Sequence, residues 1–265
     1  MQLEIHHATR YRFAAPVTFA LQQVRKTPKS TPHQSVRDWS TEITGGTRQL
    51  IFEDHHNNVV ELVSLERDTT EITVTSRGRV ALEDNHGIVG RHRGPAPLWL
   101  YLTQTARTRP GPRVREIVQG IPGETTLERL HALSARIREA VAYEIGASHP
   151  DWGAEEALEA GRGVCQDHAH VLVACARQAD IPARYVSGYL MLDDRSTQDA
   201  MHAWAEAHVE GLGWVGFDVS NGISPDTRYV RVATGLDYGD AAPVSGMRIG
   251  GAAEVLEVRI DVSQQ

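Results

Sequence analysis

Cys165 is the residue whose surroundings point most directly to covalent chemistry. It follows Gly161-Arg162-Gly163-Val164 and opens a helical stripe of Cys165, Ala169, Leu172, Ala176 and Ala179. A thiol in the first turn of a helix feels the positive end of the helix dipole, which favours the nucleophilic thiolate. The flanking glycines let other groups approach closely. A buried core cysteine would fit the same stripe, so this stretch alone serves packing as well as chemistry. Cys175 has no such context and reads as core. Ten residues of helix separate the two cysteines. That is a rise of about 15 Å, too far for a disulfide.

A second piece is Met201-His202-Ala203-Trp204-Ala205-Glu206-Ala207-His208-Val209. Read as a strand, it puts His202, Trp204, Glu206 and His208 on one face and the small apolar residues on the other. The next strand is Gly213-Trp214-Val215-Gly216-Phe217-Asp218, entered through a glycine-rich turn. A register symmetric about residue 210 sets His202 directly across from Asp218. A slip of two residues keeps them diagonal on one face, and a slip of one separates them. An Asp that accepts the Nδ1 proton of a His fixes its tautomer and supports the imidazolium. The competing reading is a surface ion pair on a β-ribbon. Taken together, a helix-start Cys followed by His and Asp on successive strands has the logic of a nucleophile, a base and an orienting carboxylate.

These segments resemble the bacterial transglutaminase-like cysteine enzymes. The similarity runs through Gly161 to His170, through Pro182-Ala183-Arg184-Tyr185-Val186-Ser187-Gly188-Tyr189, and through the His202 and Asp218 segments. It continues in Asp237-Tyr238-Gly239-Asp240-Ala241-Ala242-Pro243-Val244-Ser245-Gly246. Tyr11-Arg12-Phe13 and Arg25 resemble the β domain that precedes the core in these proteins. Val219, Leu236 and Lys26 depart from the commoner family residues without touching Cys165, His202 or Asp218.

The resemblance implies an α+β, papain-like transglutaminase core with an antiparallel sheet. It implies Cys165 as nucleophile, His202 as base and acid, and Asp218 as orienting carboxylate. Attack on a peptide or side-chain amide would give a thioester acyl-enzyme. The Cys165 backbone N–H would hold the oxyanion, with Gln166 a neighbouring candidate. Hydrolysis, as in a protease or amidase, is placed ahead of acyl transfer to an amine. A silent binding module of the same fold is the third reading, though it would have no need of all three residues.

The elements that must position these groups divide the chain of 265 residues. Residues 1–95 alternate apolar and polar residues in short runs and read as an N-terminal β-sandwich-like domain. Residues 96–124 are proline-rich and read as a linker region. Residues 125–265 read as the catalytic core: helices first, then an antiparallel sheet, with Val255–Val262 a last strand able to return to the N-terminal domain. Thr125 and Glu128 form a capping-box pattern. Trp204 and Glu206 share the face of His202 and are candidate cleft residues, while His208 reads as solvated. Asp167 and His168, beside the cysteine, read as packing and hydrogen-bonding positions.

A net charge of −7 and a pI of about 6.0 speak against nucleic-acid and membrane-surface partners. No window approaches an 18-residue apolar span, and the first residues lack the pattern of a signal peptide. With two unpaired cysteines, the expectation is a soluble, cytoplasmic protein. Thirteen histidines invite a metal reading. Yet His6-His7 and His55-His56 are adjacent pairs that point to opposite strand faces. Cys165, His168 and His170 find no completing ligands, and no Asp-rich calcium loop is present. No metal and no cofactor are expected.

Overall fold

The structure is a computed structural model that describes residues 1–149 and 151–265. The chain runs β1 (Gln2–Val24), β2 (Gln34–Thr44), β3 (Gly46–Glu53), β4 (Val59–Leu65), β5 (Thr69–Leu82) and β6 (Ile88–Gly90). Then come α1 (Pro112–Val118), α2 (Thr126–Ala140), β7 (Ala142–Tyr143), α3 (Ala154–Ala160), β8 (Arg162–Gly163) and α4 (Cys165–Gln178). It closes with β9 (Ala183–Leu190), β10 (Thr197–Gln198), β11 (His202–Val209), β12 (Gly213–Phe217), β13 (Tyr229–Gly235), α5 (Tyr238–Ala241), β14 (Val244–Gly250) and β15 (Glu254–Gln264).

The N-terminal half is one curled sheet built around β1, where a β-sandwich-like domain was expected. The first part of β1 pairs with β5 and β15, and its second part with β4 and β14. One strand of 23 residues thus belongs to two strand triplets. Residues near both chain ends complete the sheet: Leu3 lies opposite Gln264 and Phe13 opposite Glu254. The fold as a whole is sheet-rich, not an even α+β mixture, because nearly everything outside 98–178 is strand or turn.

The core sheet has the order β13-β9-β11-β12-β6, all antiparallel. Helix α4 lies on one face of it. Ala203, Ala205 and Ala207 of β11 are buried beneath, and α4 brings Ala169, Ala174 and Ala176. Small residues on both sides let helix and sheet approach closely. The first hydrophobic cluster combines α1–α4 with β11 and β12. A second joins Leu3, Ile5, Val80, Ile260 and Val262 of the curled sheet to Ala169, Tyr185 and Tyr189 of the core. The curled sheet and the core share this hydrophobic interior.

The stretch 96–124 is not a free linker. It carries a 3₁₀ turn, Leu98–Leu102, and helix α1, with Tyr101, Val114 and Ile117 buried. Arg177 of α4 holds it down by donating to the carbonyls of Tyr101, Ala183 and Leu236 and to the Thr108 hydroxyl, at 2.8–3.1 Å. Proline content there marks turns, and the tertiary contacts of Arg177 decide that the turns are buried. The capping box at Thr125 and Glu128 is present. No helix among the described residues is long and apolar enough to cross a membrane.

Lys26 is the least expected buried residue. It lies at the end of β1 with its ammonium fully enclosed, donating to Thr9 Oγ1 and to the Val74 carbonyl. Burial pushes its pKa down to about 7, against a weaker opposing pull from Glu61. Between that value and the ordinary 10.5 the unfolded chain binds more protons than the folded one, so stability contributed here rises with pH. The slope from this residue reaches at most about 1.4 kcal/mol per pH unit. Urea unfolding at pH 7, 8 and 9 should show this rise in the wild type and a flatter profile in Lys26→Met. Equal slopes in both proteins would show that Lys26 is charged in the folded state.

Candidate active site

Cys165 occupies the first position of α4, behind an extended Val164 that offers no capping side chain. The cap comes instead from within the helix: Asp167 Oδ2 accepts the Val164 N–H at 2.8 Å. Asp167 Oδ1 accepts the Ser148 hydroxyl at 3.0 Å, so the buried carboxylate fixes the approach to the cysteine from two sides. A Cβ at Gly163 would meet Asp167 Oδ2 at 2.7 Å, so only glycine leaves room for this cap. Gly161 ends α3 with φ of 63°, a left-handed turn that favours glycine. The glycines noted before Cys165 are thus explained by chain geometry. The Cys165 side chain is half-buried and unpaired.

His202 opens β11, opposite Gly188 of β9 and three residues before the part of the strand that pairs with β12. Asp218 directly follows β12. The observed hairpin register pairs Glu206 with Gly216 and Val209 with Gly213. It is centred on residue 211, one residue along from 210, which slips the cross-strand pairing by two residues. His202 and Asp218 are therefore diagonal neighbours on one face, not directly opposite, and they still meet: His202 Nε2 donates to Asp218 Oδ2 at 2.7 Å. The expected donor was Nδ1. The ring reaches Asp218 through Nε2 and lines one cleft with Cys165, whose charge is among the causes that raise the ring's pKa.

The Asp218 carboxylate is fully buried and heavily bonded. Its Oδ2 also accepts the Asn221 side-chain N–H and the Tyr229 hydroxyl, each at 2.7 Å. Burial raises the carboxyl pKa, and the donors from His202, Asn221 and Tyr229 outweigh that and lower it. An ionised Asp218 has no proton to donate, so Nε2 must carry one. For His202 burial favours the neutral ring. The neighbouring Cys165 thiolate and Asp218 carboxylate outweigh it and raise the pKa to about 10. Asn221 and Tyr229 were not anticipated from sequence. The usable signal was an Asn three residues after the Asp, in turn composition, but nothing local marked Tyr229 on β13.

Cys165, Gln166 and His202 line one cleft of about 290 Å³. Its opposite wall comes from the curled sheet: His7, Thr9 and Tyr11 of β1, with Leu256 and Val258 of β15. Trp204 and Glu206 are not in it. They lie on the sheet face away from α4 and line a different pocket. Strand alternation carries them there, and only His202, at the strand's end, reaches the cysteine. Glu206 is fully buried between Arg184 and Arg231, at 2.6 and 2.7 Å. His208 is half-buried with its ring edge on Trp214. His168 bridges the Val141 carbonyl and the Ser220 hydroxyl, both at 2.8 Å, and so ties α4 to the loop after Asp218. Cys175 is enclosed, and burial pushes its thiol pKa up. Among the described residues no three His, Cys, Asp or Glu side chains group to hold a metal ion.

Residues 113–219 match the transglutaminase-like superfamily core, and residues 3–81 match the bacterial transglutaminase-like N-terminal region. An uncharacterised protein of Mycobacterium leprae is 30% identical over 277 residues, covering 99% of this chain and 99% of its own. Another, from Mycobacterium tuberculosis, is 35% identical over 153 residues, covering 54% of this chain and 49% of its own. Among solved structures, a proposed cysteine protease from Cytophaga hutchinsonii superposes with a TM-score of 0.79 at 20% identity, covering 99% of this chain and 90% of that one. At that identity the likeness is one of fold. Near full-length similarity to a relative and two successive family matches make the chain a member of the transglutaminase-like superfamily, with the bacterial N-terminal region ahead of the core.

Proposed function

We propose that the protein is a cysteine enzyme that cleaves a peptide or side-chain amide through a thioester. The observation that carries the reading is that the His202 ring, hydrogen-bonded to the buried Asp218 carboxylate, lines one cleft with Cys165 at the start of α4. The core then works as a papain-like α+β unit, with the helix start aimed into a cleft beside an antiparallel sheet.

In this reading the resting pair is thiolate and imidazolium. The thiolate attacks the amide carbonyl carbon, and negative charge develops on the carbonyl oxygen. The Cys165 backbone N–H, free of a side-chain cap at the head of α4, would hold that oxygen. The imidazolium gives its proton to the leaving amine or ammonia as the C–N bond breaks. The acyl group stays on sulfur. Neutral His202 next takes a proton from water, hydroxide character attacks the thioester, and the acid leaves with the thiolate restored. An amine in place of water would give transamidation by the same steps. We place water first; ammonia release without amine incorporation is the corresponding readout. Two free cysteines suit a reducing, cytoplasmic setting.

Replacing Cys165 by Ala should abolish amide turnover, while Cys175→Ala should retain it within a few-fold. Turnover by the Cys165 variant at the wild-type rate would remove the proposed nucleophile. The pH dependence tests the other two residues. Against the effect of burial, the Cys165 and Asp218 charges raise the His202 pKa to about 10, so the ring is protonated at neutral pH. Iodoacetamide should therefore alkylate Cys165 at pH 6 at least about ten-fold faster than an ordinary thiol, whose pKa is about 8.5. Asp218→Asn should move the rate profile toward ordinary thiol behaviour, with Cys175 changed to Ala in both proteins. Coincident profiles, each typical of a free thiol, would sink the triad.

A further inference from the structure

On the core-sheet face away from Cys165, a cavity of about 370 Å³ opens between the β1–β2 loop, β6 and the segment after it, and the side of β9, β12 and β13 that faces away from α4. Five cationic side chains line it: Lys29, Arg91, Arg93, Arg184 and Arg231. No Asp or Glu does. This convergence occurs in a chain whose net charge is −7. Glu206 lies beneath and bonds both Arg184 and Arg231, so its one charge neutralises one of the two. Asp54 and Glu53, outside the lining, act on Lys29 from further off.

We propose that this cavity binds a small, multiply charged oxyanion, independently of the chemistry at Cys165. The inner cations are held in place before any ligand arrives. Arg184 stacks over the Trp214 ring at 3.9 Å and is almost wholly buried, and the Arg231 side chain is only 13% exposed. Lys29 is half-buried and donates to the His56 carbonyl at 3.0 Å. Arg91 and Arg93 stand exposed at the mouth. Like charges gathered in a partly dry pocket repel, and an anion with two or more charges would relieve that repulsion. Guanidinium groups present paired N–H donors that match phosphate or carboxylate oxygens, and the volume lies in the range of small-molecule pockets. Burial and the nearby Arg231 and Arg184 also lower the Lys29 pKa to about 7, so a bound anion would draw a proton onto Lys29.

Titration calorimetry with pyrophosphate and with citrate, at ionic strength matched by sodium chloride, tests the site. Binding of either probe in the micromolar to low-millimolar range is expected. It should weaken at least ten-fold in an Arg91→Ala, Arg93→Ala double variant and several-fold in Lys29→Gln. Pyrophosphate preference would mark a phosphate ligand, and citrate preference a polycarboxylate. Iodoacetamide labelling of Cys165 at wild-type rate in the variants would show that the fold and the other site are intact. Absence of binding by both probes, or binding that the variants leave unchanged, would overturn the proposal.

Discussion

Everything at the candidate active site depends on the enclosure of α4. From Asp167 to Arg177 every residue of this helix is buried. A helix surrounded on all sides has no freedom to rotate or slide, so its first residue is held at one place. The buried stretch is not uniformly apolar. Asp167, His168, His170 and Arg177 lie within it, and each must find partners because an unpaired buried polar group costs about 1–3 kcal/mol. Those partners are the Val164 amide, Ser148, Val141, Ser220, the Tyr238 amide, Tyr101, Thr108, Ala183 and Leu236, with His170 Nδ1 left buried and unpartnered. The helix thereby fastens the 101–108 segment, the loop after Asp218 and α5 around its own axis.

A second consequence is that the curled N-terminal sheet is part of the cleft. Its strand β1 supplies His7, Thr9 and Tyr11 to the wall opposite Cys165. Behind that wall, Lys26 bonds Thr9, Thr9 bonds His7, and His7 bonds the Tyr189 hydroxyl. One proton order satisfies the chain: Lys26 donates to Thr9, Thr9 to His7 Nε2, and His7 Nδ1 to Tyr189. Burial, with Lys26 and His6 nearby, keeps the His7 pKa well below its ordinary value, which agrees with a neutral ring. The N-terminal sheet therefore shapes what can approach the cysteine, and its buried polar network holds that shape.

The core sheet separates two environments by strand alternation alone. On β9, Tyr185 and Ser187 face the cysteine cleft, while Arg184 between Ala183 and Tyr185 points into the cationic pocket on the other side. On β11, Ala203 faces α4, whereas Trp204 and Glu206 face away. A polar-aromatic face on a strand invited the reading of a single cleft. The structure shows that such a face can equally carry a buried ion pair, with Glu206 held between two arginines.

Several features were legible in the sequence because they are local. Cys165 at a helix start follows from the glycines before it and the apolar stripe after it. The capping box at Thr125 follows from a spacing of three. The shared face of His202 and Asp218 follows from a period of two, which survives a register slip of two residues. What only the tertiary structure decided was non-local. Which nitrogen of His202 meets Asp218 depends on how the ring packs in the cleft, which no strand period sets. Asn221 and Tyr229 reach Asp218 through a loop and a strand whose course no local pattern sets. The stretch 96–124 has linker composition, yet Arg177, far along the chain, draws it into the core. Lys26 reads as a surface residue by type, and it is buried because the two triplets of the curled sheet close over the end of β1. Periodicity specifies which residues share a face, whereas long-range packing and hydrogen bonding choose what that face meets.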